Sequence, residues 1–145
     1  MLNYRQQKSY KFETEKYRDG LNQVIFYYDQ WIEALRSYVA NKNESPTRLE
    51  ELIYDERFPQ WLDQQLIPAY PNYPIIHTLL VQQEEIKSNV KLLIESKSNG
   101  DSQLQIIRHY QQCANDLQFG IETIELVRKQ IANPTMVSQR RSGKI

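Results

Sequence analysis

Residues 21–39 read LNQVIFYYDQWIEALRSYV. Within them Leu21, Val24, Ile25, Tyr28, Ile32, Leu35 and Val39 recur at steps of three and four. That is the period of a helix with one buried face, not the alternation of a strand. The helix can reach back to Tyr10 across Gly20, where glycine costs about 1 kcal/mol in a helix interior. Asn41, Lys42 and Asn43 end it.

Two further stripes follow downstream. From Pro74, which suits a first helical turn, Ile76, Leu79, Leu80, Ile86, Val90, Leu93 and Ile94 step in the same way. After a turn at Ser96, Lys97, Ser98, Asn99 and Gly100, a last helix carries Leu104, Ile107, Tyr110, Ala114, Leu117, Ile121, Ile124, Val127 and Ile131. Gly100 is placed for a left-handed cap, and Asp101 or Ser102 for the next N-cap. Asn133 and Pro134 stop this helix.

The stretch between the first two stripes is broken. Pro46, Pro59, Pro68, Pro71 and Pro74 fall within it, and proline interrupts helix interiors. Ser45-Pro46 reads as an N-cap and first turn of a short helix bearing Leu49, Leu52 and Ile53. A second short piece runs from Pro59 through Trp61, Leu62 and Leu66, and residues 68–74 form a stiff loop. Three long helices and a broken fourth predict an all-α fold, an antiparallel four-helix bundle with one helix in proline-interrupted pieces. Residues 1–133 form one domain, and 134–145, with Arg140, Arg141 and Lys144, a mobile basic tail.

Eighteen Lys and Arg balance eighteen Asp and Glu over the 145 residues. No net field therefore favours nucleic acid, and only the tail and the Arg5, Lys8 and Lys11 group are locally positive. The single cysteine, Cys113, excludes an internal disulfide and an all-cysteine zinc site. No run is long and apolar enough for membrane insertion, and the first residues lack the apolar centre of a signal peptide. A cytoplasmic domain is the expectation.

Catalytic constellations are incomplete. His109 and Cys113 share a helix face, as a nucleophile pair would, but no orienting group or oxyanion-hole motif accompanies them. Di-iron sites in bundles use Glu-x-x-His, and the residues three before His77 and His109 are Pro74 and Ile106. A phosphotransfer role for either histidine lacks the small neighbour that would admit a kinase. Ten tyrosines and two tryptophans are the more informative feature. Tyr54, Phe58, Trp61, Tyr70 and Tyr73 gather around the broken middle, either as packing for an irregular segment or as a candidate partner surface.

One spacing carries a family resemblance. Asp29-Gln30-Trp31 is followed by Glu56-Arg57-Phe58-Pro59-Gln60-Trp61-Leu62 and then by Tyr73-Pro74-Ile75-Ile76-His77. Over residues 21–130 this order resembles the chemoreceptor zinc-binding domain, a helical regulatory module of bacterial chemoreceptors and diguanylate cyclases. Trp31, Phe58 and Trp61 match that family's aromatic positions. Of its metal ligands only His77 is kept; the others are Asp29, Glu56 and Val81 here, and its glycine is Pro59. The resemblance implies a regulatory bundle in which metal binding has been lost. Asp29, Glu56 and His77 could otherwise form an oxygen-rich site, weaker for zinc than one with a thiolate.

The leading expectation is a non-enzymatic regulatory or adaptor bundle in bacterial signalling. It would act by binding another protein, with no cofactor and no metal, and with homodimerisation left open. The alternative is a small-ligand or metal sensor using a pocket near Asp29, Glu56 and His77. The core expectation is that Trp61 and Phe58 anchor the broken segment onto the long helices.

Overall fold

The computed structural model describes residues 4–132, with side chains from Glu15 onward. Its elements are α1 (Tyr4–Ala40), α2 (Thr47–Ile53), α3 (Arg57–Trp61), a π-helical turn (Leu62–Leu66), α4 (Ile67–Ala69), α5 (Pro74–Ser98) and α6 (Gln103–Ala132). The first helix begins before Tyr10, and Gly20 does not interrupt it. The stop expected at Asn133 and Pro134 and the tail 134–145 lie outside the described residues. Among the described residues there is no strand, and no helix is long and apolar enough to cross a membrane.

Local chemistry sets the breaks. Ser45 Oγ accepts the Thr47 N–H at 3.2 Å, and Asp55 Oδ1 accepts the Arg57 N–H at 3.0 Å, starting α2 and α3. Ser102 and Gln105 make a reciprocal capping box on α6, each side chain accepting the other's backbone N–H at 3.3 Å. Gly100 has φ +71°, the left-handed conformation that ends α5. Between Arg57 and Ala69 the chain is helical without a gap, longer at both ends than the piece expected from Pro59 through Leu66 and reaching past Pro68, where the loop was expected to begin. Pro68 lacks the N–H for the Gln64 carbonyl one turn earlier, and its ring crowds that oxygen. The wider π turn relieves the clash without ending the helix.

Helix order follows from pairs of contacts. The Tyr27 hydroxyl donates to Leu52 O at 2.9 Å, while Trp61 lies against Gly20, so the broken segment runs antiparallel to α1. Tyr28 pairs with Gln83, and Lys97 Nζ donates to the Tyr38 and Asn41 carbonyls, so α5 runs parallel to α1. Arg128 Nη1 donates to Asn22 at 2.6 Å and Gln82 Nε2 to Thr123 at 2.9 Å, so α6 is antiparallel to both. The result is the expected up-down-up-down four-helix bundle, with α6 packed on α1 and α5 and the broken segment closing the other side.

The buried seams are more regular than the hydropathy stripes. They are Leu21, Val24, Tyr28, Trp31, Leu35 and Tyr38 on α1, and Ile76, Leu79, Gln83, Ile86, Val90 and Leu93 on α5. On α6 the seam holds Ile106, Cys113, Leu117, Gly120, Ile124, Val127 and Ile131. All three step by threes and fours, with the half-buried Tyr110 taking the α6 place between Ile106 and Cys113, a heptad spacing suited to knobs-into-holes packing. Ile25, Ile32 and Val39 therefore move to the flank, half-buried. Leu104 and Ile107, expected in the core, face solvent. Gly120 enters the core because the Tyr28 ring fills its side-chain space: a Cβ there would lie 2.7 Å from Tyr28 Cε2. The Tyr28 hydroxyl in turn donates to Gln83 Oε1 at 2.8 Å, so one layer of three helices is fixed by a ring, a glycine and a buried amide.

Candidate functional site

Where the broken segment fails to fill its corner of the bundle, an open groove of about 480 Å³ runs between α1 and α3. Its α1 wall comprises Gly20, Gln23, Val24, Phe26, Tyr27 and Gln30; Asp55, Arg57, Phe58 and Trp61 face it. The volume lies within the range of small-molecule and side-chain pockets.

Each wall residue is placed by an identifiable contact. Phe58 is buried in an edge-to-face pair with Tyr28, ring centroids 5.8 Å apart. Tyr27 packs edge-on to Trp31 at 6.1 Å, and burial pushes its phenol up to about 12. Trp61 is half-buried, 6.5 Å from Tyr17, with its ring seated on Gly20. Phe26 stands 65% exposed on the rim. Arg57, almost wholly in solvent, is oriented by both Asp55 oxygens, Nη2 to Oδ2 at 2.6 Å and Nε to Oδ1 at 3.0 Å. That bond holds the Asp55 carboxyl below the usual carboxylate range. The pair leaves this part of the groove electrically near neutral.

Gly20 is the structural condition for the groove. A Cβ there would sit 2.3 Å from Trp61 Cζ2, closer than real contacts allow. Gly20→Ala should therefore push the indole out while gaining about 1 kcal/mol of helix propensity. The expected outcome is red-shifted tryptophan emission with little change in melting temperature. An unshifted spectrum would mean that Trp61 does not rest on this position.

The residues proposed from sequence as a ligand pocket are not brought together. Asp29, Glu56 and His77 are all exposed. Asn22, one heptad before Asp29, bonds to Arg128, so that flank of α1 faces α6. Glu56 lies on the other side, 3.3 Å from the buried ammonium of Lys87. His77 follows the seam residue Ile76 and points outward from the first turn of α5. Among the described residues no group of three His, Cys, Asp or Glu side chains could hold a metal ion. The pocket expectation is corrected accordingly: the cavity lies elsewhere and none of the three lines it.

The aromatic partner surface is corrected as well. Phe58 and Tyr73 are buried, so neither is available to a partner as an exposed ring. Tyr70 is half-buried, stacked on Tyr73 at 5.4 Å and edge-on to Tyr17 at 5.5 Å. Tyr54 is 71% exposed on α2, with Lys91 Nζ 5.9 Å above its ring. Of the five, only Phe58 and Trp61 line the groove. Phe26, Gln23 and Gln30 complete it unanticipated, although Phe26 off the apolar stripe and a mid-helix Gly20 were visible signals.

His109 and Cys113 do not form a reactive pair. Cys113 is fully buried in the α6 seam, and burial, reinforced by Asp116, pushes its thiol up to about 12. A thiol held protonated is a poor nucleophile.

No family model matches this chain, and no curated protein or solved structure matches it.

Proposed function

We propose that this bundle is a non-enzymatic regulatory or adaptor protein that binds another protein through the groove between α1 and α3. The observation that carries this reading is Phe26, a large ring left 65% exposed beside the half-buried Trp61 on a preformed aromatic floor. Tyrosine, tryptophan and arginine dominate binding hot spots, and preoriented groups such as Arg57 lose little entropy on association. The resemblance to a bacterial chemoreceptor module, with three of its four metal ligands replaced, supports a signalling context on the same terms. The cytoplasm and a cofactor-free mode of action belong to this reading too. A second reading, a sensor of a small apolar ligand, draws on the groove's volume.

A photo-reactive residue at Gln23, in cells producing the protein, tests the proposal. One discrete adduct with a second protein is expected, and Phe26→Asp should abolish it. Adducts that persist in Phe26→Asp, or that form only from a control position such as Val81 on α5, would overturn the groove assignment. Saturation of the groove by a small molecule, with no adduct, would put the sensor reading first.

A further inference from the structure

Glycine follows an aspartate or an asparagine at two places in the chain, Asp19-Gly20 and Asn99-Gly100. Such pairs are chemically labile, because glycine has no side chain to keep its amide nitrogen from the preceding side-chain carbonyl. The fold treats the two oppositely. Gly20 lies inside α1, where the helix fixes the peptide on either side, and the Trp61 ring covers it. Asn99 and Gly100 are exposed at the turn where α5 ends. Gly100 has φ +71°, and nothing lies within 4 Å of the place a Cβ would take. Its N–H donates to Lys97 O at 3.2 Å, a long bond, and the Asn99 side-chain amide makes no hydrogen bond among the described residues. Asn99 has ψ −3°, so its peptide must rotate before the Gly100 nitrogen can reach Cγ. That rotation breaks one weak hydrogen bond and displaces no packed side chain.

We propose that Asn99 is a site of spontaneous deamidation. The Gly100 nitrogen attacks Asn99 Cγ and forms a C–N bond, its proton passes to solvent base, and the side-chain nitrogen leaves as ammonia. Water then opens the cyclic imide at either carbonyl, leaving aspartate or isoaspartate at position 99. No electrons are exchanged, and water is the only co-reactant. A chain whose eighteen cations balance eighteen carboxylates thereby gains one carboxylate.

The consequence falls on the turn between α5 and α6. The Asp101 N–H donates to Ser96 O at 3.0 Å and Ser96 Oγ donates to Asp101 at 2.8 Å, closing the turn around Asn99 and Gly100. Isoaspartate inserts a methylene into the main chain within that closure, so the cap that ends α5 loses its geometry. A carboxylate at this position also opposes the negative end of the helix dipole. Lys97, which ties α5 to the Tyr38 and Asn41 carbonyls at the end of α1, belongs to the same turn.

The full chain, aged in neutral to mildly alkaline buffer and digested with trypsin at intervals, provides the test. Cleavage after Lys97 and Arg108 releases residues 98–108, in which Asn99 is the only asparagine. Mass spectrometry should show the amide-to-acid change there at least tenfold faster than at the exposed Asn22, Asn41 and Asn115, which side-chain-bearing residues follow. The rate should rise with pH. An isoaspartyl methyltransferase should label that peptide and leave the one carrying Asp19 unlabelled. Asn99→Gln, whose longer side chain must close a larger ring, should abolish the label. Fully converted protein should melt about 3–6 °C lower, and Asn99→Asp, which keeps the main chain its normal length, should lose less. An Asn99 that stays intact, or reacts no faster than the other asparagines, overturns the proposal. Reaction confined to the urea-unfolded chain does so too, because the folded turn would then protect the pair. Labelling of Asp19 at the same rate overturns the role assigned to the fold, and an unchanged melting temperature overturns the effect on the α5 cap.

Discussion

Replacing Trp31 by alanine should lower the stability of this protein by about 3–5 kcal/mol, the usual cost of deleting a large buried ring. Trp31 is completely buried on the α1 seam, in edge contact with Tyr27. The neighbouring helices are tied by polar contacts on either side, Tyr28 to Gln83 in one direction and Lys97 to Tyr38 O in the other. They cannot collapse freely into the space left behind. The melting temperature should fall by roughly 10–15 °C. Trp61→Ala should cost only about 1–2 kcal/mol, because half of that ring already faces water. The comparison is diagnostic: equal losses would place both rings in the core, and an unchanged melting temperature for Trp31→Ala would place it outside.

Alkali should unfold the bundle well before its amides are attacked. Burial raises the Cys113 thiol from 9.0 to about 12 and the Tyr27 phenol from 10.0 to about 12, and it raises Tyr28 further. In the unfolded chain these groups lose their protons near 9 and 10, whereas the folded chain keeps them. Above about pH 9 the unfolded state therefore binds fewer protons, and stability falls as pH rises. Cys113 and Tyr28 each withdraw up to about 1.4 kcal/mol per pH unit across their windows, and the half-buried Tyr27 withdraws less because solvent screens it. Several acting together can consume most of a typical 5–15 kcal/mol. Urea unfolding at stepped pH should give a level plateau to about pH 9 and a steep loss beyond it. Cys113→Ala should shallow the first part of that loss, where the thiol titrates ahead of the phenols. A flat profile to pH 11 would mean that water already reaches these side chains.

Phe26 illustrates how a legible residue can have an illegible role. In the sequence it is an apolar residue off the helical stripe, and nothing local says whether another element covers it. Only the missing shoulder of the broken segment leaves it at a groove rim. Trp31 shows the converse. Its indole lies outside the hydropathy stripe, yet the heptad seam puts it at the centre of the core.

The period of the apolar residues, the prolines between Pro46 and Pro74 and the caps at Ser45, Gly100 and Ser102 determined four helical limbs, one of them broken, and hence a bundle. Those are local properties: each depends on backbone geometry within a few residues. Which face of each helix is buried was decided by tertiary packing, because a heptad seam is a compromise among neighbours. It admitted Gly120, Cys113 and Gln83 and turned away Leu104 and Ile107. The site was decided there as well. Asp29 and Glu56 looked like partners in sequence order, but α6 claims one flank of α1 and Lys87 claims Glu56. The groove arose instead where Gly20 admits Trp61 and where the interrupted helix leaves α1 uncovered, a matter of volume that no single segment encodes.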